Sequence, residues 1–165
     1  MYAAVLRELD MPLHFPGSEA RWVGLMEATD ATLLTNAIAF IACEPRAANQ
    51  AINVTNGDVF RWEHAWPRIA AHFGMRTGDI RPMNLETFMR DKDAVWQRVV
   101  RRWGLTPSRL DNVAAWAYGD FVFGIDHDIM SSTTRLRQAG FHDVIDSEAM
   151  FLHQLRQYRD AKILP

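Results

Sequence analysis

The sequence is poor in the features that would tie it to a secreted, membrane or nucleic-acid-binding protein. One cysteine, Cys43, among 165 residues excludes an intramolecular disulfide framework. No window approaches the roughly 18 uncharged apolar residues of a membrane-spanning helix, and no signal peptide is recognisable. A net charge of −2 leaves no basic field to attract nucleic acid. We therefore expect a cytoplasmic protein that binds neither nucleic acid nor membrane.

The common motifs of catalytic and cofactor sites are also missing. There is no Gly-x-Gly-x-x-Gly or Walker-type loop, no His-Glu-x-x-His, no Cys-x-x-Cys and no Gly-x-Ser-x-Gly. The run Asp126-His127-Asp128 is better explained by a solvated turn than by a metal site. Cys43 follows an apolar run, which favours a buried thiol that acts as a small hydrophobe. We predict no catalytic residue, no cofactor site and no metal site in this chain.

The sequence does contain the hydrophobic content of one globular domain, which we predict to span residues 1–165. Hydrophobic residues make up 48% of the chain and tryptophans number six. The pattern predicts an α+β fold that is mostly helical with a few short strands. Capping residues and glycines place several of the expected helices. These are the helix from Asp30 to Cys43, which should be buried on most sides, and helices 62–73, 84–89, 92–103, 132–139 and from Asp146 onward, with a further start at Thr106-Pro107.

Residues 51–55 are the strongest strand candidate, and the turn residues Asn56-Gly57-Asp58 follow them. A single strand cannot satisfy its own ladder of backbone hydrogen-bonding groups. The chain offers few partners, namely short extended stretches near Phe15 and near residues 128–130. This shortage predicts that the rest of the sheet lies outside the chain. A first helix is expected at the start of the chain, where Val5, Leu6 and Leu9 share a face. Apolar surface around this helix and around 51–55 should support a homodimer or larger assembly.

Segments along the whole chain match, in order, those of one known family. They are Tyr2–Val5 through Phe15–Gly17, Asn49–Trp62, Trp66, Phe73-Gly74, Val95-Trp96, Gly104–Pro107, Trp116–Asp120, Ala139–Phe141 and Lys162–Pro165. Together they resemble the progesterone 5β-reductase and iridoid synthase group of extended short-chain dehydrogenases/reductases, which are related to NAD-dependent epimerases and dehydratases.

The resemblance implies that this chain is the C-terminal, substrate-side part of such an enzyme and lacks the Rossmann nucleotide-binding half. In the family the dinucleotide loop and the catalytic tyrosine and lysine lie upstream of these motifs. The parent would be an NADPH-dependent oxidoreductase that reduces a small apolar carbonyl or enone, and the fragment alone would not be catalytic. Tyr158 and Lys162 have the catalytic spacing, yet we interpret that spacing as coincidence.

The family also implies that three positions form wall of the substrate pocket: Tyr118, Val122 and Met26. Plain core packing remains the alternative, above all for Val122 and Met26. Tyr118 departs from the plant enzymes, which carry phenylalanine there, and its hydroxyl needs a hydrogen-bonding partner.

Two further readings stay open for the chain as a whole. It could be a stand-alone module that holds a small apolar ligand beside Tyr118, or a subunit that complements a separate nucleotide-binding chain. As a fragment it would have lost its N-terminal half by proteolysis, by truncated expression or by gene splitting.

Overall fold

Helices dominate the structure, a computed structural model that describes residues 1–165. Ten α-helices, one short 3₁₀ helix (Pro45–Ala47) and two short strands follow one another along the chain. In chain order they are α1 (Tyr2–Glu8), β1 (Leu13–Phe15), α2 (Glu19–Val23), α3 (Ala31–Cys43), α4 (Trp62–His72), β2 (Thr77–Ile80), α5 (Leu85–Met89), α6 (Asp93–Trp103), α7 (Leu110–Val113), α8 (Trp116–Gly124), α9 (Thr134–Ala139) and α10 (Ser147–Asp160). The expectation of a mostly helical chain with a few short strands is confirmed.

The two strands form one parallel pair, β1 with β2, in which Leu13 lies opposite Thr77 and Phe15 opposite Ile80. The extended stretch at Leu13–Phe15 was expected from the sequence, whereas β2 was not. Its Gly78 allows the backbone to approach closely, because a Cβ there would lie 2.5 Å from Nδ1 of the buried His14. The sheet is therefore small, with β1 buried in the core and β2 half-exposed at its edge.

The main core is built around Phe15, which is fully buried. Its ring centroid lies 5.0 Å from that of Trp22, 5.2 Å from that of Trp66 and 5.4 Å from that of Phe123. Edge-to-face contacts at this range add to the free energy gained by removing the rings from water. The core thus joins β1, α2, α4 and α8, and truncating Phe15 to alanine would cost about 3–5 kcal/mol.

Local capping signals predicted most helix boundaries correctly. The Asp30 carboxylate accepts the backbone N–H of Thr32 at 2.8 Å, Asn84 accepts that of Thr87 at 2.7 Å, and Asp146 accepts that of Ala149 at 2.8 Å. Each side chain satisfies an otherwise free donor of the first helical turn. At the other ends, Gly104 and Gly140 adopt the left-handed conformation that stops α6 and α9.

The predicted strand at residues 51–55 is wrong, because the segment is extended but pairs with no other strand. A strand needs a neighbour, and β1 and β2 pair with each other elsewhere. The stretch near residues 128–130 is likewise no strand. Thr106-Pro107 begins no helix, since the Thr106 N–H donates to the carbonyl of Lys162 and α7 starts at Leu110.

Helix α3 is far less buried than its sequence predicted. Only Leu33 and Ala37 are buried, against a small second cluster that includes Leu136 and Phe141. Ile38 is 58% exposed, and Cys43 is exposed rather than buried. The apolar composition of α3 therefore reflects a surface that these 165 residues leave uncovered. The exposed apolar surface expected at the first helix is wrong, because Tyr2–Leu6 of α1 are buried in the main core.

None of the helices combines the length and the hydropathy that a membrane crossing requires.

Candidate functional site

Helix α8 carries two opposite aromatic faces. Trp116 and Phe123 pack against the main core, whereas Tyr118 is 67% exposed and Phe121 is 66% exposed. The last two residues are three positions apart and therefore share one side of the helix. Their ring centroids are 6.3 Å apart with the rings inclined at 34°. We call Tyr118 and Phe121 the aromatic surface.

The Gly119-Asp120 pair in the middle of α8 fixes the helix against α5. The Asp120 carboxylate accepts the backbone N–H groups of Leu85 and Glu86, the latter at 3.1 Å, and the side-chain amide of Asn84 at 2.8 Å. A carboxylate at a helix N-terminus satisfies free donors and opposes the helix dipole. At Gly119 a Cβ would stand 3.0 Å from Leu85 Cδ1. This pair therefore positions the aromatic surface, a role that was not predicted from the sequence.

The segment after α8 is tied down along residues 25–27. The Leu25 N–H donates to Asp128 at 2.8 Å, the Ile129 N–H donates to the Leu25 carbonyl at 2.9 Å, and the Ser131 N–H donates to Glu27 at 2.7 Å. Asp128 is thus an internal hydrogen-bond acceptor. No three His, Cys, Asp or Glu side chains come together as a metal-binding group.

Arg21 lies beneath this segment with its side chain fully buried. One Nη atom donates to the Leu25 carbonyl at 3.2 Å, while Nε and the other Nη atom have no partner. Burial lowers the pKa of the Arg21 guanidinium, and the nearby charge of Asp128 acts in the opposite direction. The interaction with Asp128 therefore offsets part of the cost of burying this charge.

The three residues expected to line a substrate pocket differ in their exposure. Tyr118 is exposed, Val122 is half-buried against the core, and Met26 is buried. Met26 and Phe60 exchange both backbone hydrogen bonds at 2.8 Å. Of the three, only Tyr118 is exposed to solvent. Its neighbour on the same side of the helix is Phe121, which the i, i+3 spacing could have identified from the sequence. The roles of Tyr118, Val122 and Met26 in a pocket wall stay predictions.

The Tyr158 and Lys162 spacing does not correspond to one helix face. Helix α10 ends at Asp160, and Lys162 adopts a positive φ of 55° beyond it. The Ile163 N–H then turns back to the Tyr158 carbonyl at 2.8 Å. A lysine four residues after a tyrosine lies over the phenol only in a continuous helix.

The turn Asn56-Gly57-Asp58 connects the starts of two helices. Asn56 is fully buried; its Oδ1 accepts the Asp30 N–H at 2.6 Å and its Nδ2 donates to the Ser147 hydroxyl at 3.0 Å. The Asp58 carboxylate accepts the Ser147 N–H at 2.8 Å and its hydroxyl at 2.6 Å. We call Asn56, Asp58 and Ser147 the turn cluster, and it holds α3 and α10 in place.

Directly before the turn cluster, residues 51–55 form an extended segment whose backbone is half unpaired. The N–H groups of residues 52–55 donate to no acceptor of the protein. On the carbonyl side, Ala51 accepts Arg135 and Val54 accepts the Thr29 hydroxyl, each at 3.0 Å. Ile52 and Val54 pack against the small core beneath α3. We call residues 51–55 the unpaired segment.

Comparisons with known proteins cover the whole chain. The family model of the PRISE-like Rossmann-fold domain matches residues 2–165. The (S)-8-oxocitronellyl enol synthase of Antirrhinum majus is 34% identical over 168 residues, and that of Catharanthus roseus is 31% identical over 169. The 3-oxo-Delta(4,5)-steroid 5-beta-reductase of Arabidopsis thaliana is 31% identical over 168 residues. Each alignment covers 100% of this chain and 43% of the relative, so the chain spans less than half the length of these enzymes.

Proposed function

The chain belongs to the PRISE-like Rossmann-fold domain family, and we propose that it is the substrate-side part of an NADPH-dependent oxidoreductase of that family. In this proposal the nucleotide-binding half is contributed by a segment outside residues 1–165. The names of the relatives, an enol synthase and a steroid reductase, support a redox reaction of a small carbonyl or enone compound. Residues 1–165 themselves contribute one parallel sheet of two strands, β1 and β2.

The observation that carries this proposal is the unpaired segment. Four consecutive N–H groups of an extended backbone, at residues 52–55, have no acceptor. A row of unpaired backbone groups is a template for a neighbouring strand. In the proposal, a strand of the nucleotide-binding half pairs with this segment, and the exposed side of α3 near Ile38 packs against the same half.

The aromatic surface supports the assignment of the substrate side. Tyr118 and Phe121 form one wall with nothing facing it, although exposed aromatic rings of this size normally take part in binding. We propose that they orient the apolar body of the substrate and exclude water from it. NADPH would supply the hydride, and a tyrosine of the other half would stabilise the developing oxyanion.

The phenol of Tyr118 adds a polar group to this wall. In the proposal it hydrogen-bonds a substrate oxygen remote from the reacting carbons, which the phenylalanine of the plant enzymes cannot do. A donor matched to a substrate oxygen discriminates strongly against analogues that lack it. The proposed substrate is therefore a small apolar enone with a second oxygen.

The test joins this chain to the first part of the Antirrhinum majus relative, up to the point where the alignment begins. The isolated chain should bind no NADPH and reduce no enone, whereas the chimera should do both. Tyr118→Ala in the chimera should raise KM about tenfold, because a lost pocket contact weakens substrate binding by about 1–3 kcal/mol. The control Val59→Ala removes an exposed apolar side chain elsewhere and should leave KM unchanged. NADPH binding by the isolated chain would overturn the proposal.

The same open surfaces bear on the oligomeric state of the chain by itself. Without the nucleotide-binding half, the apolar side of α3 in one copy can pack against the same side of α3 in a second copy. We propose a homodimer for the isolated chain and a loss of that dimer in the chimera, measured by sedimentation. A chimera that remains dimeric through Ile38 would contradict the proposal that the nucleotide-binding half covers this side of α3.

A further inference from the structure

A groove of about 410 Å³ lies where the C-terminal ends of α1, α4, α6 and α10 meet. Its lining contains three cations, Arg7, Arg159 and Lys162, and no aspartate or glutamate side chain. All three cationic residues are exposed, so that a ligand from solvent can reach them. The chain as a whole has 20 acidic and 18 basic side chains. The groove is therefore a local excess of positive charge in a chain that is slightly negative overall.

One of the three cations, Arg159, is used by the fold itself. Its Nε atom donates to the Pro165 oxygen at 3.0 Å, and one Nη atom donates to the His72 carbonyl at 3.2 Å. The second bond satisfies a free carbonyl at the end of α4, where a cation also opposes the helix dipole. Arg159 therefore has a structural role, and it also occupies the Pro165 oxygen. Binding of an anion would depend on the other two cations.

The side chains of Arg7 and Lys162 make no hydrogen bond and no ion pair within the chain. The central carbon of the Arg7 guanidinium lies 4.8 Å from the ring centroid of Trp103, a contact that holds the group in place without using its N–H donors. The neighbouring carboxylate of Glu8 is turned towards α6, where it pairs with Arg102 at 3.3 Å. Helix capping thus explains Arg159 but leaves the donors of Arg7 and Lys162 unused.

The backbone of Lys162 is fixed at the edge of the groove. Its carbonyl accepts the Thr106 N–H at 2.8 Å, its own N–H donates to the Arg159 carbonyl at 2.9 Å, and its φ is 55°. His72 adds no charge to the groove at pH 7.5, because burial, Arg159 and Arg156 all lower its pKa. Two free positive charges therefore face the groove on supports that are already ordered.

We propose that this groove binds the phosphate group of a small phosphate monoester, with Arg7 and Lys162 donating to the phosphate oxygens. A phosphate monoester carries a charge of about −2 at pH 7.5 and matches two free cations. A carboxylate carries a single charge and would leave one cation unmatched. The guanidinium fork and the ammonium group are both common phosphate-binding groups in proteins. The organic group of the ester would contact Trp103, which lines the groove and is 43% exposed. The groove contains no residue of the aromatic surface, so its occupancy is independent of the function proposed above.

The experiment uses phenyl phosphate as the ligand and phenyl sulfate, which has a similar shape but one negative charge fewer, as the matched control. The chain is labelled with nitrogen-15, and the indole N–H signal of Trp103 is identified by its loss in Trp103→Phe. At pH 7.5 we expect phenyl phosphate to shift this signal with saturation, and phenyl sulfate to bind about tenfold more weakly. Inorganic phosphate should also bind more weakly than phenyl phosphate, because it lacks the organic group. The reverse order would assign the groove to free phosphate and overturn the assignment to an ester.

Four variants separate the site from general attraction to a basic surface. Arg7→Gln and Lys162→Gln should each weaken the binding of phenyl phosphate about tenfold, since each removes one charge-assisted hydrogen bond. Arg7→Lys keeps the charge and should weaken binding less than Arg7→Gln. The control Arg90→Gln removes an exposed cation outside the groove and should leave binding unchanged. Equal affinity for phenyl phosphate and phenyl sulfate, or equal weakening by Arg90→Gln and Lys162→Gln, would overturn the proposal.

Discussion

Replacing Asn56 by alanine should destabilise the protein more than any other single polar substitution in the turn cluster. The side chain is fully buried and makes two strong hydrogen bonds, to the Asp30 N–H and to the Ser147 hydroxyl. A third, weaker bond runs from Nδ2 to the Met150 sulfur at 3.4 Å. Alanine removes all three, and the loss of the two strong bonds dominates the cost. Ser147 keeps its bond to Asp58, but the Asp30 N–H is left without an acceptor.

The expected cost follows from these two losses. Each hydrogen bond contributes about 1 kcal/mol, and an unsatisfied donor adds about 1–3 kcal/mol. We therefore expect Asn56→Ala to lower the free energy of unfolding by about 3 kcal/mol. For a chain of this length, that corresponds to a fall in Tm of roughly 6–12 °C.

The assay is urea denaturation followed by tryptophan fluorescence, with thermal unfolding as a second probe. Asn53→Ala is the matched control, because Asn53 is exposed and makes one bond, to the Ser132 carbonyl at 3.2 Å. It should cost less than about 1 kcal/mol. Equal destabilisation by the two substitutions would refute the reasoning, since burial would then have no effect on the cost.

Two further predictions concern the α5 contact and pH. Asp120→Ala should lower the free energy of unfolding by about 2 kcal/mol, because the donors at the start of α5 then lose their acceptor. Asp111→Ala, which removes an exposed carboxylate, is the control in the same urea assay. Burial, Arg159 and Arg156 lower the pKa of His72, so the unfolded state binds the proton more readily and stability should fall as the pH drops below about 6.5. In urea titrations between pH 7.5 and 5, the free energy of unfolding should fall less in His72→Asn than in the unsubstituted protein. An equal fall in the two proteins would contradict a contribution of His72 to the pH dependence.

The features that the sequence predicted well are those determined within one or two helical turns. Asp30, Asn84 and Asp146 cap helices through bonds to residues two or three positions away. Gly104 and Gly140 end helices through their own backbone conformation. Such signals need no knowledge of distant residues.

The errors concern features that depend on distant partners. Residues 51–55 have the composition of a strand, yet strand formation requires a neighbour that the chain does not provide. The exposure of Ile38 and Cys43 likewise depends on what covers α3. β2 was missed because Thr77-Gly78-Asp79-Ile80 has little strand propensity and is held by its pairing with β1.

The candidate site was predicted only in part. Tyr118 was predicted from the family resemblance. The structure adds Phe121, whose ring lies beside that of Tyr118. The positioning role of Asp120 was out of reach, because its acceptor bonds join residues about 35 positions apart in the sequence. The polar links of the turn cluster were missed for the same reason, since Asn56 and Ser147 are 91 positions apart.

Amide hydrogen exchange at residues 52–55 tests most directly whether this chain is one part of a two-part enzyme. In the isolated chain these four N–H groups should exchange almost as fast as in an unfolded peptide, because they have no acceptor. In the chimera with the first part of the Antirrhinum majus relative, the two alternate N–H groups that point towards the added strand should become protected by about 100-fold or more, because successive N–H groups of a strand point to opposite sides. Strong protection in the isolated chain, or none in the chimera, would contradict the account.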